Sequence, residues 1–220
     1  MEVKKASLGI EELDRLLSGG IPEPSTLLIL GDVGTGKSVI CQQFAYSQAK
    51  IGYKVVYFCI DNPPDEVKQN IETLGWSLRN LENLIFVNVH DEEPDKHWIN
   101  AYDYEELLNG IKKYFKFGKR FIFDSISTIA IMHGERKTYN LIRKIHSWTL
   151  KSESISILSA VRDMHSRKFE IAIKQVLNNV MLLEREGEEV FVSIEKTMKT
   201  PRVKGKFGLE IDEKGIRIIF

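Results

Sequence analysis

The stretch Gly31-Asp32-Val33-Gly34-Thr35-Gly36-Lys37-Ser38 has the spacing G-x-x-x-x-G-K-S. It follows the apolar run at residues 26–30 (TLLIL) and precedes residues 38–49 (SVICQQFAYSQA), which have the composition of a helix. A buried strand that breaks into a glycine-rich turn and resumes as a helix is a phosphate-binding loop. The glycines let the backbone curl so that successive N–H groups converge on phosphate oxygens. The following helix adds the partial positive charge of its N-terminus. In such a loop Lys37 reaches the β- and γ-phosphates, and the Ser38 hydroxyl is placed to coordinate Mg²⁺. The predicted ligands are ATP and Mg²⁺. The predicted binding set is Gly31, Asp32, Val33, Gly34, Thr35, Gly36, Lys37, Ser38 and Val39.

A magnesium site at a phosphate-binding loop needs a second hard oxygen donor from a neighbouring strand end. Residues 120–123 (RFIF) form a short apolar run that stops at Asp124. An acid there holds Mg²⁺ through water, so Ser38 and Asp124 are the predicted metal-side pair.

Outward from the loop, apolar runs at 54–60, 84–89, 120–123 and 154–160 alternate with helical patterns at 64–74, 104–115 and 136–150. Strands alternating with helices of ten or more residues predict an α/β fold with a mostly parallel sheet covered on both faces. Ile10, Leu13, Leu16 and Leu17 recur at helical spacing ahead of Gly19-Gly20 and Pro22. After residue 180 the rhythm changes. Residues 180–184, 190–195, 206–211 and 215–220 read as strands with tight turns, an antiparallel extension of the sheet edge. The whole of 1–220 reads as one domain.

Composition narrows the function classes. The 31 Lys+Arg are balanced by 31 Asp+Glu, which disfavours a protein whose main work is coating nucleic acid or an anionic membrane. Cys41 and Cys59 stand far apart and outside any C-x-x-C, which excludes a disulfide scaffold or a zinc ribbon. No run approaches the roughly 20 apolar residues of a membrane span, and no secretory signal is readable, so a cytoplasmic location is expected. The five histidines, His90, His97, His133, His146 and His165, show no H-x-x-x-H spacing. The acidic, aromatic stretch 91–106 reads as a surface loop, with partner docking the alternative. Residues 162–168 read as a solvated loop, with single-stranded nucleic acid contact the alternative.

Several segments together resemble the RecA-like ATPases, and within them the KaiC and archaeal RadA-paralogue group. Residues 13–22 (LDRLLSGGIP) resemble that group's approach to the loop, and Asp124-Ser125-Ile126-Ser127 resembles its D-S-x-S. Asn62-Pro63-Pro64-Asp65 through Leu74-Gly75-Trp76 is similar to its helix ending in Gly-Trp. Ile194-Glu195-Lys196, Lys204-Gly205-Lys206-Phe207 and Gly215-Ile216 resemble its final hairpins. The resemblance covers nearly the whole chain, without a second ATPase repeat and without the helical DNA-binding domain of RadA recombinases.

The resemblance implies a RecA-like fold, Mg²⁺-dependent ATPase activity and a homo-oligomeric ring, hexameric in many members. It also implies catalytic roles for Lys37, Asp124, Asp61 and Lys196. Where the family carries paired glutamates, the first of which activates the attacking water, this chain has Asp61-Asn62. Aspartate is one methylene shorter, so slow turnover is the expectation; a plain turn residue is the alternative. Lys196 matches the family's lysine that reaches a neighbouring subunit's nucleotide. The arginine two residues on is Met198, with Lys199 beside it. Ser159 falls near a small polar sensor position, or is simply a small residue at a strand end. Three functions remain open: a slow ATPase coupled to assembly, an ATP-gated scaffold that signals to a protein partner, as archaellum accessory proteins do, and a recombination mediator on DNA.

Overall fold

Residues 25–31 (STLLILG) are buried at every position, as the central strand of a sheet covered on both faces must be. The structure is a computed structural model that describes residues 4–89, 96–198 and 203–220. The described elements are, in chain order, β1 (Lys5–Ala6), α1 (Glu11–Leu16), β2 (Ile21–Pro22), β3 (Ser25–Gly31), α2 (Lys37–Lys50) and β4 (Val55–Cys59). They continue with α3 (Pro64–Thr73), β5 (Leu84–Asn88), α4 (Tyr104–Tyr114), β6 (Arg120–Asp124), α5 (Ile126–His133) and α6 (Glu135–Lys151). The last are β7 (Ile155–Val161), α7 (Arg167–Val176), β8 (Asn179–Glu186), β9 (Glu189–Lys196), β10 (Lys206–Asp212) and β11 (Gly215–Ile219).

The main sheet runs β11-β10-β9-β8-β3-β7-β6-β4-β5. From β5 to β8 every neighbouring pair is parallel, and from β8 to β11 every pair is antiparallel. This is the mostly parallel, helix-flanked sheet with C-terminal antiparallel hairpins that the sequence predicts. One strand differs from its reading. Residues 180–184 open the antiparallel extension by pairing with β9, but on their other side β8 lies parallel to β3, with Leu28 opposite Val180. The reason is α7, of which the sequence reading covers only Arg167 and Lys168, as the end of the loop at 162–168. Its ten residues provide the crossover that a parallel connection requires.

Side chains alternate across the sheet and divide the core in two. Leu27 and Ile29 of β3, with Tyr57 and Cys59 of β4, pack against Ile40, Cys41 and Phe44 of α2 and Ile71 of α3. Leu28 and Leu30, with Phe58 and Phe123, pack on the opposite face against Leu107, Ile129, Leu141 and Ile173 of α4 to α7. Side-chain caps fix the helix starts on that second face. Asp103 accepts from Glu106 N–H at 2.8 Å, Ser125 from Ser127 N–H at 3.1 Å, and Ser166 from Phe169 N–H at 3.2 Å.

The N-terminal segment closes on the sheet through the β1–β2 ribbon, with Lys5 opposite Pro22. Gly20 is required there. Its φ is +110°, and a Cβ at that position would lie 2.1 Å from the Ala6 carbonyl oxygen. Among the described residues, no helix is long and apolar enough to cross a membrane.

Candidate active site

Gly31 ends β3 and Lys37 begins α2, so the loop between them sits at the carboxyl ends of the parallel strands, where open α/β sheets bind ligands. The loop is held from three sides. Arg162 N–H, leaving β7, donates to Gly31 O at 3.0 Å. Arg185 of β8 donates its N–H to Asp32 Oδ2 at 2.9 Å and its Nη2 to Gly34 O at 2.8 Å. Inside the loop, Thr35 Oγ1 donates to Asp32 O at 2.8 Å.

Lys37 is buried, and its ammonium donates to Gly31 O at 3.0 Å and Asp32 O at 2.7 Å. Burial pulls its pKa down, opposed chiefly by the carboxylates of Asp124 and Asp32, with a smaller share from Asp61. The carboxylates of Asp124, Asp32 and Asp61 thus all act electrostatically on one ammonium. Ser38 is exposed at the cleft, Val33 stands out in solvent and Val39 is half-buried. Residues 34–39 and Ile211 of β10 line a cleft of about 310 Å³. Larger hollows exist, one of about 550 Å³ near Trp98 and one of about 670 Å³ near Phe220. Neither is lined by the loop or its Lys37.

Asp124 ends β6 with its side chain buried among neighbours from two other strands. Its Oδ2 accepts from Tyr57 Oη at 2.7 Å, and its Oδ1 accepts from Ser159 Oγ at 2.5 Å. Burial first, then the charge of Asp124, pushes the Tyr57 phenol well above its ordinary value, so Tyr57 remains the donor. Ser159 therefore touches the acid that the sequence predicts on the metal side.

Asp61 follows β4 and is exposed. Its N–H and that of Ile60 both donate to Asp124 O, at 3.1 and 3.0 Å, which ties the exit of β4 to the end of β6. Its Oδ1 accepts from Thr128 Oγ1 of α5 at 2.5 Å. Asn62, at the position of the family's second glutamate, donates instead to Glu66 Oε1 at 2.5 Å.

Lys196 lies apart from this group within the chain. It ends β9 opposite Val180, at the start of β8, whereas the loop adjoins Leu183 farther along that strand. Its ammonium donates to Lys174 O, Gln175 O and Leu177 O at 3.1, 3.0 and 2.6 Å, closing the C-terminus of α7. Met198 turns toward the start of β8, with Asn178 Nδ2 3.1 Å from its Sδ. Lys199, His90 and residues 91–95 of the acidic stretch lie outside the described residues.

The structure thus gathers the loop, Ser38, Asp124 and Asp61 and leaves Lys196 elsewhere. Ser38 and Asp124 offer a hydroxyl and a carboxylate, hard oxygen donors suited to a magnesium ion that keeps most of its waters. Among the described residues no cluster of three His, Cys, Asp or Glu is arranged to hold a metal by itself. Tyr57, Thr128, Arg185 and Ile211 escape the sequence reading. Only Tyr57 carries a signal, a hydroxyl within an otherwise apolar strand.

Comparison with known proteins agrees with this geometry. The family profile described as "ATPase: KaiC" matches residues 6–220. A UPF0273 protein of Thermotoga maritima is 30% identical over 141 residues, 59% of this chain and 58% of that protein. The circadian clock oscillator protein KaiC of a Picosynechococcus strain is 26% identical over 233 residues, 98% of this chain and 44% of that protein. The chain therefore spans between two fifths and three fifths of the length of these two relatives. The KaiC-like protein PH0186 of Pyrococcus horikoshii superposes with a TM-score of 0.85 at 24% identity, with both chains fully covered, a likeness of fold. With a phosphate-binding loop, a strand-end acid and a family match over nearly every residue, the chain belongs to the KaiC family of RecA-like P-loop ATPases.

Proposed function

We propose that the protein binds ATP with Mg²⁺ through residues 31–39 and Asp124, hydrolyses it slowly, and couples nucleotide state to assembly of a homo-oligomeric ring or to a protein partner. The observation that carries this reading is the backbone bond from Asp61 N–H to the Asp124 carbonyl, beside the loop that holds Lys37. It puts a solvent-accessible carboxylate next to the metal-side acid. Magnesium, when bound between Ser38 and Asp124, supplies charge neutralisation of the β- and γ-phosphates.

The chain's own groups supply the rest. The Lys37 ammonium leaves the Gly31 and Asp32 carbonyls for the phosphate oxygens, and the loop N–H groups share that charge. Asp61 accepts a proton from water as the water oxygen bonds the γ-phosphorus. The bridging bond to the β-phosphate breaks, and its electron pair leaves on ADP. Tyr57 and Ser159 keep the Asp124 carboxylate oriented while charge shifts around it. Lys196 serves a neighbour's nucleotide across the ring, so one domain of 1–220 is active only when assembled.

A second reading, an ATP-gated switch with little hydrolysis, is favoured by the commitment of the Lys196 ammonium to α7. Sizing the protein with and without Mg-ATP, while measuring phosphate release with and without single-stranded DNA, separates the readings. The proposal predicts ATP-dependent assembly with slow, DNA-independent release. Assembly without release supports the switch, and DNA-stimulated release supports a recombination mediator. Retention in the cytoplasm is part of the same proposal.

A further inference from the structure

The bond between Thr128 and Asp61 is not needed to build the sheet. The exit of β4 is already fixed by the two N–H groups of Ile60 and Asp61 on Asp124 O. The start of α5 is already capped by Ser125. A third tie runs from a side chain in the first turn of α5 to one oxygen of the carboxylate beside the catalytic loop, at 2.5 Å. Asp61 is exposed, and an exposed carboxylate on a loop ordinarily samples several rotamers. Here the range is narrowed by a charge-assisted hydrogen bond from a threonine whose backbone is fixed in a helix and whose side chain has two favoured rotamers there.

Selection of a rotamer matters for this residue in particular. A short carboxylate reaches an attacking water from fewer geometries than a longer one, and misplacement by about 1 Å costs roughly a hundredfold in rate. The Thr128 hydroxyl takes Oδ1 and so limits the orientations open to the carboxylate. The nearby N-terminus of α5, where Thr128 sits, also favours an anion.

We infer that Thr128 is a positioning residue for ATP hydrolysis, fixing the Asp61 carboxylate in the orientation from which it accepts the proton of water. The inference rests on Asp61 acting as the base. Thr128 acts on the reaction through its bond to Asp61, so its removal lowers turnover by that route.

The test compares the parent chain with T128V, T128S, D61N and the double variant T128V/D61N. Valine keeps the shape of threonine without the hydroxyl, and serine keeps the hydroxyl. For each, phosphate release gives kcat and KM, a fluorescent ATP analogue with Mg²⁺ gives the binding constant, and thermal melting reports the fold. T128V is expected to lower kcat about tenfold or more, with KM, analogue affinity and melting temperature near those of the parent. T128S is expected to stay within about threefold of the parent. T128V added to D61N is expected to cost nothing further, as two members of one unit do.

Parental turnover in T128V, with D61N strongly impaired, overturns the role of Thr128 and leaves Asp61 as the base. Equal losses of rate, affinity and melting temperature in T128V, without recovery in T128S, also overturn it, because the hydroxyl then only holds the fold. Parental turnover in D61N, or a parent that releases no phosphate, overturns the reading of Asp61 and the positioning role with it.

Discussion

The phenol of Tyr57 donates to Asp124 Oδ2 across 2.7 Å, from the middle of one buried strand to the end of its neighbour. Their strands pair in register, Tyr57 with Ile122 and Cys59 with Asp124, so the phenol rises along the sheet toward the loop. With Ser159 on the other oxygen, both faces of the acid are engaged before any cation arrives. A carboxylate held on both oxygens has its orientation set in advance, which suits the metal-side role proposed for Asp124.

Tyr57→Phe tests that preorganisation. It leaves Asp124 Oδ2 without this donor in a buried place, which costs about 1–3 kcal/mol of stability. The Mg²⁺ concentration for half-maximal binding of an ATP analogue should rise several-fold, while the magnesium-independent part of binding is unchanged. A magnesium titration at fixed analogue concentration measures it.

The same region makes the fold sensitive to alkali. Burial pushes the thiols of Cys41 and Cys59 up from 9.0, and burial with Asp124 pushes up the Tyr57 phenol from 10.0. These groups hold their protons more tightly folded than unfolded. Their contribution is therefore complete below about pH 9 and is lost as pH rises above it, by up to ~1.4 kcal/mol per pH unit for each group. Urea midpoints at pH 8, 9.5 and 10.5 should fall in that order, and Cys59→Ala should flatten part of the decline.

Gly36 joins the loop to the C-terminal hairpin. Its φ is +86°, and a Cβ there would stand 2.7 Å from Ile211 Cδ1. Gly36→Ala should cost about 1–2 kcal/mol of stability from the left-handed backbone and abolish analogue binding. Adding Ile211→Ala removes the steric clash but not the backbone strain, so melting and binding assays on the double variant should show partial recovery only.

How much of this was legible in the sequence follows from the range of the contacts. The loop is local: eight consecutive residues and their flanking strand and helix carry its geometry, and it lies where the spacing predicts. Asp124 was readable because an apolar strand stops there. The partners of these groups were not readable, since Tyr57 meets Asp124 across 67 residues and Arg185 meets Gly34 across 151. Pairings of that span are fixed by strand order, which apolar periodicity alone does not encode. Helix α7 was missed because its charged opening, Arg167-Lys168, resembles a loop, although its apolar face, Phe169 and Ile173, is buried in the core. For Lys196 the family resemblance implies a service to another subunit, and its place at the end of α7 is visible only with the chain folded.

Lys196→Ala separates two roles. Loss of the contacts to three α7 carbonyls should lower stability by about 1–2 kcal/mol, measured by urea unfolding of the isolated subunit. The proposed service to a neighbour is tested by mixing Lys37→Ala subunits, intact at Lys196, with Lys196→Ala subunits, intact at the loop. Phosphate release above that of either variant alone is expected from mixed rings.

The most direct measurement is equilibrium binding of a fluorescent ATP analogue to the parent chain, Lys37→Ala and Asp124→Asn, each with and without Mg²⁺. The parent should bind, and more tightly with the cation. Lys37→Ala should weaken binding roughly a hundredfold, since the phosphates lose the loop's ammonium. Asp124→Asn should bind with little response to Mg²⁺. Parental affinity in Lys37→Ala, or an undiminished magnesium response in Asp124→Asn, would contradict the assignment of this site.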